Sequence, residues 1–181
     1  SKYGKTLEAV LEYGQKQQER LAALQDYDAY LARLEKQTAE KERELEGLCE
    51  EASVIRKRYA EVLCAKIRGH LIDLNFLDVE FELEFDRISG YTSGGFDDAE
   101  FVISTNPGES LRPLAKIASG GELSRIMLAI KTVLADKDQI ETVIFDEIDV
   151  GISGRTAQKV SEKMMLIGRS RQVICITHLA Q

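Results

Sequence analysis

Proline is nearly missing from these 181 residues, and its two occurrences, Pro107 and Pro113, both lie beyond position 100. Nothing in the first hundred positions therefore bars a long helix by removing a donor or clashing with the preceding turn. Cysteine is also scarce. Cys49, Cys64 and Cys175 are odd in number and far apart, without CxxC or nearby histidine spacing, which excludes a zinc knuckle and a disulfide framework and fits free thiols in a reducing cytosol. No apolar run approaches 18 residues and no leader-like start is present, so neither a membrane span nor export is indicated. Ser1 in place of methionine fits a processed or truncated chain. Positive charge is in deficit: the net charge is -7 and the pI about 5.0, which excludes a chain-wide field drawing in nucleic acid or anionic lipid and leaves such contacts to local patches.

What is abundant is helix-forming sequence. From Thr6 to Leu71 the chain is dominated by Glu, Lys, Arg, Gln, Ala and Leu. Leu24, Leu31, Thr38, Leu45, Ala52 and Tyr59 recur every seven residues, and Tyr27, Leu34, Lys41, Leu48, Ile55 and Val62 form the companion row. Two such rows predict a coiled-coil seam, weakened at Thr38 and Lys41. The polar run "GQKQQER" at 14–20 falls out of phase with Leu7, Val10 and Leu11, which predicts a bend or tip near Gly14. Sixty-odd helical residues would extend roughly 90–100 Å, more than a domain of this size can enclose.

After this arm the period changes to two. Val79, Phe81, Leu83 and Phe85 alternate with Glu80, Glu82, Glu84 and Asp86, predicting a strand with one charged face. "GYTSGGFDD" reads as a hairpin turn, "AEFVIST" as the returning strand, and "NPGESLRP" as a loop. A helix over about 121–136, the strand "TVIFDEI", a helix over about 154–167 and the strand "QVICITH" follow. That order predicts an α/β lobe with a parallel sheet covered by helices.

Two places carry chemistry. In "TVIFDEID" an apolar strand runs into Asp146 and Glu147, so two carboxylates emerge at its carboxyl end, where open α/β sheets bind ligands. One could hold Mg²⁺ and the next could polarise a water. The plainer reading is a strand turning acidic as it reaches solvent. In "ASGGELSR", Ser119, Gly120, Gly121 and Glu122 open an amphipathic helix whose stripe is Leu123, Ile126, Met127 and Ile130, presenting N–H groups and a hydroxyl to an anion. The plainer reading is a serine cap. His70 reads as an ordinary polar residue, Cys49 and Cys64 as small apolar residues near the coiled-coil face, and Arg56, Lys57 and Arg58 as a solvated basic face, with DNA phosphates as the alternative.

Taken in order, "ASGGELSRIMLAIK", "FDEIDVGISGRTAQKV" and "ITHLAQ" resemble the second half of an ABC-type ATPase head, and the preceding coil resembles the SMC class, in particular bacterial SMC-like DNA-repair ATPases. The resemblance covers nearly the whole chain. It implies a P-loop NTPase fold of which this chain holds a descending coiled-coil arm, 1–71, and a carboxyl-terminal lobe, 72–181. It further implies that two heads sandwich ATP, with Ser119, Gly120, Gly121 and Glu122 as the signature motif, of which Ser119 and Gly121 contact the γ-phosphate of nucleotide held by the partner head. Asp146 is then the Mg²⁺ ligand, Glu147 the general base, Asp149 the D-loop link across the dimer, and His178 the switch histidine on the γ-phosphate. Implied partners are the amino-terminal half of the same protein, a second head and DNA, in the cytoplasm at the nucleoid, with no membrane.

One element of that family is missing here: no GxxxxGK[ST] occurs, so the chain by itself is expected neither to hold ATP tightly nor to hydrolyse it. Two other readings remain open at this stage. A transporter nucleotide-binding subunit would need no long coil, and a coiled-coil scaffold with a decayed lobe would not need Asp146, Glu147 and His178.

Overall fold

The computed structural model describes residues 6–135, 137 and 139–177. The chain divides into two compact units, Ser1–Glu51 and Ala52–Gln181. Helix α1, Leu7–Asp73, contributes to both.

In the first unit α1 is helical straight through Gly14, so the predicted bend is not there. No proline interrupts the ladder, and an exposed glycine inside a helix costs only about 1 kcal/mol against alanine. Leu24, Tyr27, Leu31, Leu34, Leu45 and Leu48 of the predicted seam are exposed. Lys41, the seam's misfit, pairs with Glu44 one turn on at 2.6 Å.

In the second unit α1 buries a face other than the predicted seam. Ala60, Cys64, Ile67, Leu71 and Leu74 are buried at alternating spacings of four and three, while Ile55, Tyr59 and Val62 stay exposed. At 100° per residue these two stripes lie about a third of a turn apart. Cys64 thus belongs to the buried face and not to the seam. The helix stops in a Schellman arrangement: Asn75 sits at φ 75°, with Asn75 N donating to the Ile72 carbonyl at 3.1 Å and Phe76 N to the Leu71 carbonyl at 3.1 Å.

Strands β1, Glu80–Thr92, and β2, Gly95–Ser104, form an antiparallel hairpin in the register Phe81↔Ile103 and Phe85↔Ala99, with an irregularity between Arg87 and Thr92. Both run further than the alternation alone predicts, leaving Ser93 and Gly94 as the turn. Thr92 closes it: its hydroxyl accepts from Gly94 N at 3.1 Å and donates to the Gly95 carbonyl at 3.0 Å. Two residues, β3 (Arg112–Pro113), extend the sheet. The hairpin is tied to α1 by Asp97, which accepts from Ser53 Oγ at 2.7 Å and from Arg56 Nη1 at 2.8 Å. Lys57 lies over the Phe85 ring at 5.9 Å. Two of the three residues of the basic cluster are therefore engaged within the chain.

Helix α2, Gly120–Val133, strand β4, Thr142–Asp146, helix α3, Gly154–Gly168, and strand β5, Gln172–Ile176, complete the lobe. β4 and β5 pair in parallel, Phe145 opposite Cys175, as the α/β order predicts. One face of this pair is packed: Val143 and Phe145 join Ile126, Leu128, Ala129, Val160, Ile167 and the end of α1 in a single apolar core. The other is bare, with Ile144 60 %, Ile174 41 % and Ile176 48 % exposed. The expected helical cover of the sheet is present on one face, to which α2, α3 and α1 all contribute.

Candidate functional site

The site grows from the end of β4. Asp146 is the last strand residue and is exposed; Glu147 follows with φ 54°, a left-handed conformation that few side chains adopt without support. That support comes from both sides. Glu147 N donates to the Ile176 carbonyl of β5 at 3.2 Å, and the Glu147 carbonyl accepts from Val150 N at 3.1 Å, closing a turn.

α2 approaches this turn with its first residues. Ser119 is the N-cap, its hydroxyl accepting from Glu122 N at 3.4 Å, so the plainer reading of that serine is realised. The capped geometry leaves the N–H groups of Gly120 and Gly121 without acceptors inside the helix, which is what an anion at a helix amino terminus requires. The two glycines differ. Gly120 is exposed, and a Cβ there would lie 2.6 Å from Glu147 Oε2. Gly121 is buried, and a Cβ there would meet the Glu147 carbonyl oxygen at 2.9 Å and Val150 at 3.2 and 3.3 Å. α2 and the segment after β4 are in backbone contact because position 121 has no side chain. The open end of α2 and the Glu147 carboxylate consequently share one surface.

Further along α2, Ser124 Oγ donates to the Asp146 carbonyl. Arg125 Nη1 donates to the Val150 carbonyl at 2.8 Å and, more weakly, to that of Ile148 at 3.5 Å. Neither residue stands out in the sequence reading, which placed the buried stripe on Leu123, Ile126, Met127 and Ile130. In the structure Gly121, Arg125, Ile126, Leu128, Ala129 and Ile130 are buried, while Leu123 and Met127 are half-buried. The spacing of Gly121, Arg125 and Leu128, four then three, is the signal that would have found Arg125.

Asp149 turns the other way. It is 4 % exposed and faces a cavity of about 270 Å³ lined also by Ile152, Val160, Met164, Cys175 and Thr177. Burial pushes the Cys175 thiol up, and the charge of Asp149 adds to the effect. The chain then turns at Gly151, φ 74°, and enters α3 at Ser153. His178 lies outside the described residues.

Away from this surface, Lys163 of α3 is 5 % exposed and donates to Asp73 Oδ2 at 2.8 Å, with His70 Nδ1 at 2.7 Å. His70 therefore has a partner that sequence distance hid: Lys163 stands ninety-three positions away. Burial, and then the Lys163 charge, hold the His70 imidazole below its usual range. The Lys163 hydrogen bond holds the Asp73 carboxyl low.

Among the described residues no three His, Cys, Asp or Glu side chains gather as a metal cage. Mg²⁺ does not need one. It commonly takes one or two carboxylates and fills its octahedron with water and phosphate oxygens, and Asp146, exposed at a strand end beside the open end of α2, fits that donor pattern.

Comparison with known proteins identifies the relatives of this surface. The chain is 40 % identical over 184 residues to the DNA repair protein RecN of Halalkalibacterium halodurans, covering 99 % of this chain and 33 % of that protein. It is 42 % identical over 185 residues to RecN of Treponema pallidum, covering 99 % and 32 %. Over that span it is similar to RecN. The chain spans about a third of the length of the RecN proteins it matches. No family model matches it. Among solved structures, the Smc head domain with a coiled coil and joint from Pyrococcus yayanosii superposes with a TM-score of 0.53 at 20 % identity, across 95 % of this chain and 31 % of that one. The fold is that of the carboxyl-terminal lobe of an SMC-type head following a coiled-coil helix. No helix among the described residues is long and apolar enough to cross a membrane.

Proposed function

We propose that this chain is the signature-motif half of an ATP-driven, SMC-like DNA-repair machine of the RecN type, with 1–71 as its descending arm and 72–181 as the carboxyl-terminal lobe of its head. The observation that carries the reading is the shared surface of the open end of α2 and the Asp146–Glu147 pair, joined through the buried Gly121. The complete protein is an ATPase of the cytoplasm, acting at the nucleoid in double-strand break repair. Its partners are the amino-terminal part of the same protein, a second head and DNA.

In this reading the chain's residues divide the labour. Asp146 would hold Mg²⁺. ATP, when bound, would supply the scissile phosphoanhydride, and the metal would neutralise charge on its phosphates. Glu147 would accept a proton from the attacking water, and His178 would bond the γ-phosphate on the same head. Ser119, Gly120 and Gly121, with Glu122 in the first turn, meet the γ-phosphate of nucleotide held by the partner head. Asp149 leaves its pocket to join the two sites across the dimer. Such chemistry is mostly positioning and charge stabilisation, so convergence of these groups matters more than their order in the chain.

The test is complementation. The chain alone should not hydrolyse ATP, and mixing it with an amino-terminal part that carries a phosphate loop should restore turnover. Robust hydrolysis by the isolated chain would sink the assignment of labour. In the complemented enzyme Glu147→Gln should abolish turnover while ATP-driven dimerisation, followed by light scattering, persists.

A further inference from the structure

α2 holds the segment after β4 by its main chain. Ser124 takes the carbonyl of Asp146, and Arg125 takes those of Ile148 and Val150, so two adjacent side chains fix alternate peptides from 146 to 150. Between those peptides stand Glu147 and Asp149. The main chain that carries the carboxylates at 146, 147 and 149 is therefore held at 146, 148 and 150 from one helix, beside the Ile176 and Val150 bonds that support the left-handed Glu147.

The guanidinium is an expensive way to fill this space. Arg125 is 8 % exposed, its head lies 5.6 Å from the Phe76 ring, and its buried Nε has no protein partner. A buried charge with an unmet donor costs several kcal/mol unless its remaining bonds are good, and an apolar side chain would pack the gap without that cost. What an apolar residue could not do is donate to two main-chain carbonyls, as Arg125 Nη1 does.

We propose that Ser124 and Arg125 are positioning residues that orient Asp146, Glu147 and Asp149 from the signature helix of the same chain, making the anion-binding end of α2 and the acidic strand end one mechanical unit. The proposal rests on the ATPase reading above. Its consequence is that occupancy of α2 in one head alters the carboxylate geometry of that head, so the two nucleotide sites of a dimer communicate within each chain as well as across the interface. Arg125 is too buried to touch nucleotide, and its loss should appear in the chemical step and not in binding.

The experiment uses the complete protein and ATP. Arg125→Met and Ser124→Ala should each lower kcat about tenfold or more, with KM for ATP within about twofold, because misplacing catalytic groups by an ångström costs on that order. Ser124→Thr, which keeps the hydroxyl, should retain the rate. If Arg125→Met does not fold, as judged by circular dichroism, the Ser124 pair decides alone. Wild-type kcat in folded Arg125→Met and in Ser124→Ala would overturn the proposal, and so would a raised KM at unchanged kcat, which would mean a direct nucleotide contact. Failure of the unmodified complete protein to hydrolyse ATP would instead overturn the ATPase reading.

Discussion

Gly121 and Gly120 are adjacent glycines in one motif, and the structure gives them different work. A methyl at 121 would press on the Glu147 carbonyl and on Val150, backbone and Cβ atoms that cannot swing aside, whereas a methyl at 120 would meet only the far end of the Glu147 side chain. Gly121→Ala should therefore destabilise the chain by roughly 1–3 kcal/mol, the usual cost of overpacking. Gly120→Ala should cost less than about 1 kcal/mol, since one carboxylate rotation relieves it. Urea denaturation of the two variants checks the order, and equal losses would contradict it. The proposed phosphate-binding reading of these glycines is open in the sequence, because Ser-Gly-Gly before an amphipathic run is a local pattern. Their packing difference is not local: it depends on a turn twenty-six residues downstream. The same holds for Arg125, whose burial becomes visible only when the Gly121–Arg125–Leu128 spacing is weighed against its charge.

At the scale of elements, α1 illustrates what periodicity does and does not say. The rows through Leu45, Leu48, Ile55 and Tyr59 are correctly apolar, but they lie on the exposed stripe, while Ala60, Cys64, Ile67, Leu71 and Leu74 build the core. The second stripe has the same four-three spacing in another phase, so one helix carries two seams and pattern alone does not say which is occupied. Where α1 ends, His70, Asp73 and Lys163 join it to α3. This joint titrates. The folded-state pKa of His70 lies below its usual 6.5, so folding favours the neutral ring; its contribution is present above that value and is lost as pH falls through the lowered pKa. Asp73, also lowered, adds a contribution present above its usual 3.8 and lost on further acidification. Stability should accordingly decline as pH drops from about 7 to about 5, in the window where histidine titrates. His70→Gln, which can still accept from Lys163, should flatten that decline and leave the lower, carboxylate-dependent one. Urea midpoints measured across the range test this, and an unchanged slope in His70→Gln would locate the proton uptake elsewhere.

For the whole molecule, the informative surface is the bare side of the β4–β5 pair. A parallel sheet ordinarily has both faces covered, and its strands read as continuous apolar runs for that reason. "TVIFD" and "QVICI" read that way, so the sequence correctly reports strands built for two-sided burial. What it could not report is that this chain supplies the cover for one side only: Ile144, Ile174 and Ile176 are left in solvent by a segment amounting to about a third of its relatives' length. Under the proposed function the amino-terminal part would supply the second cover. If so, a charge on that face should be nearly silent in the isolated chain and severe in the complete protein. Ile144→Glu replaces a side chain that is 60 % exposed, so the isolated chain should lose no more than about 0.5 kcal/mol, the range of ordinary surface substitutions. Against the amino-terminal part the same carboxylate would be buried without a partner, at several kcal/mol, enough to lower association a hundredfold or more. Calorimetric titration of the two parts, with and without Ile144→Glu, measures both halves of the claim. Undiminished binding by the variant would mean that the amino-terminal part docks elsewhere and that the bare isoleucines face some other partner.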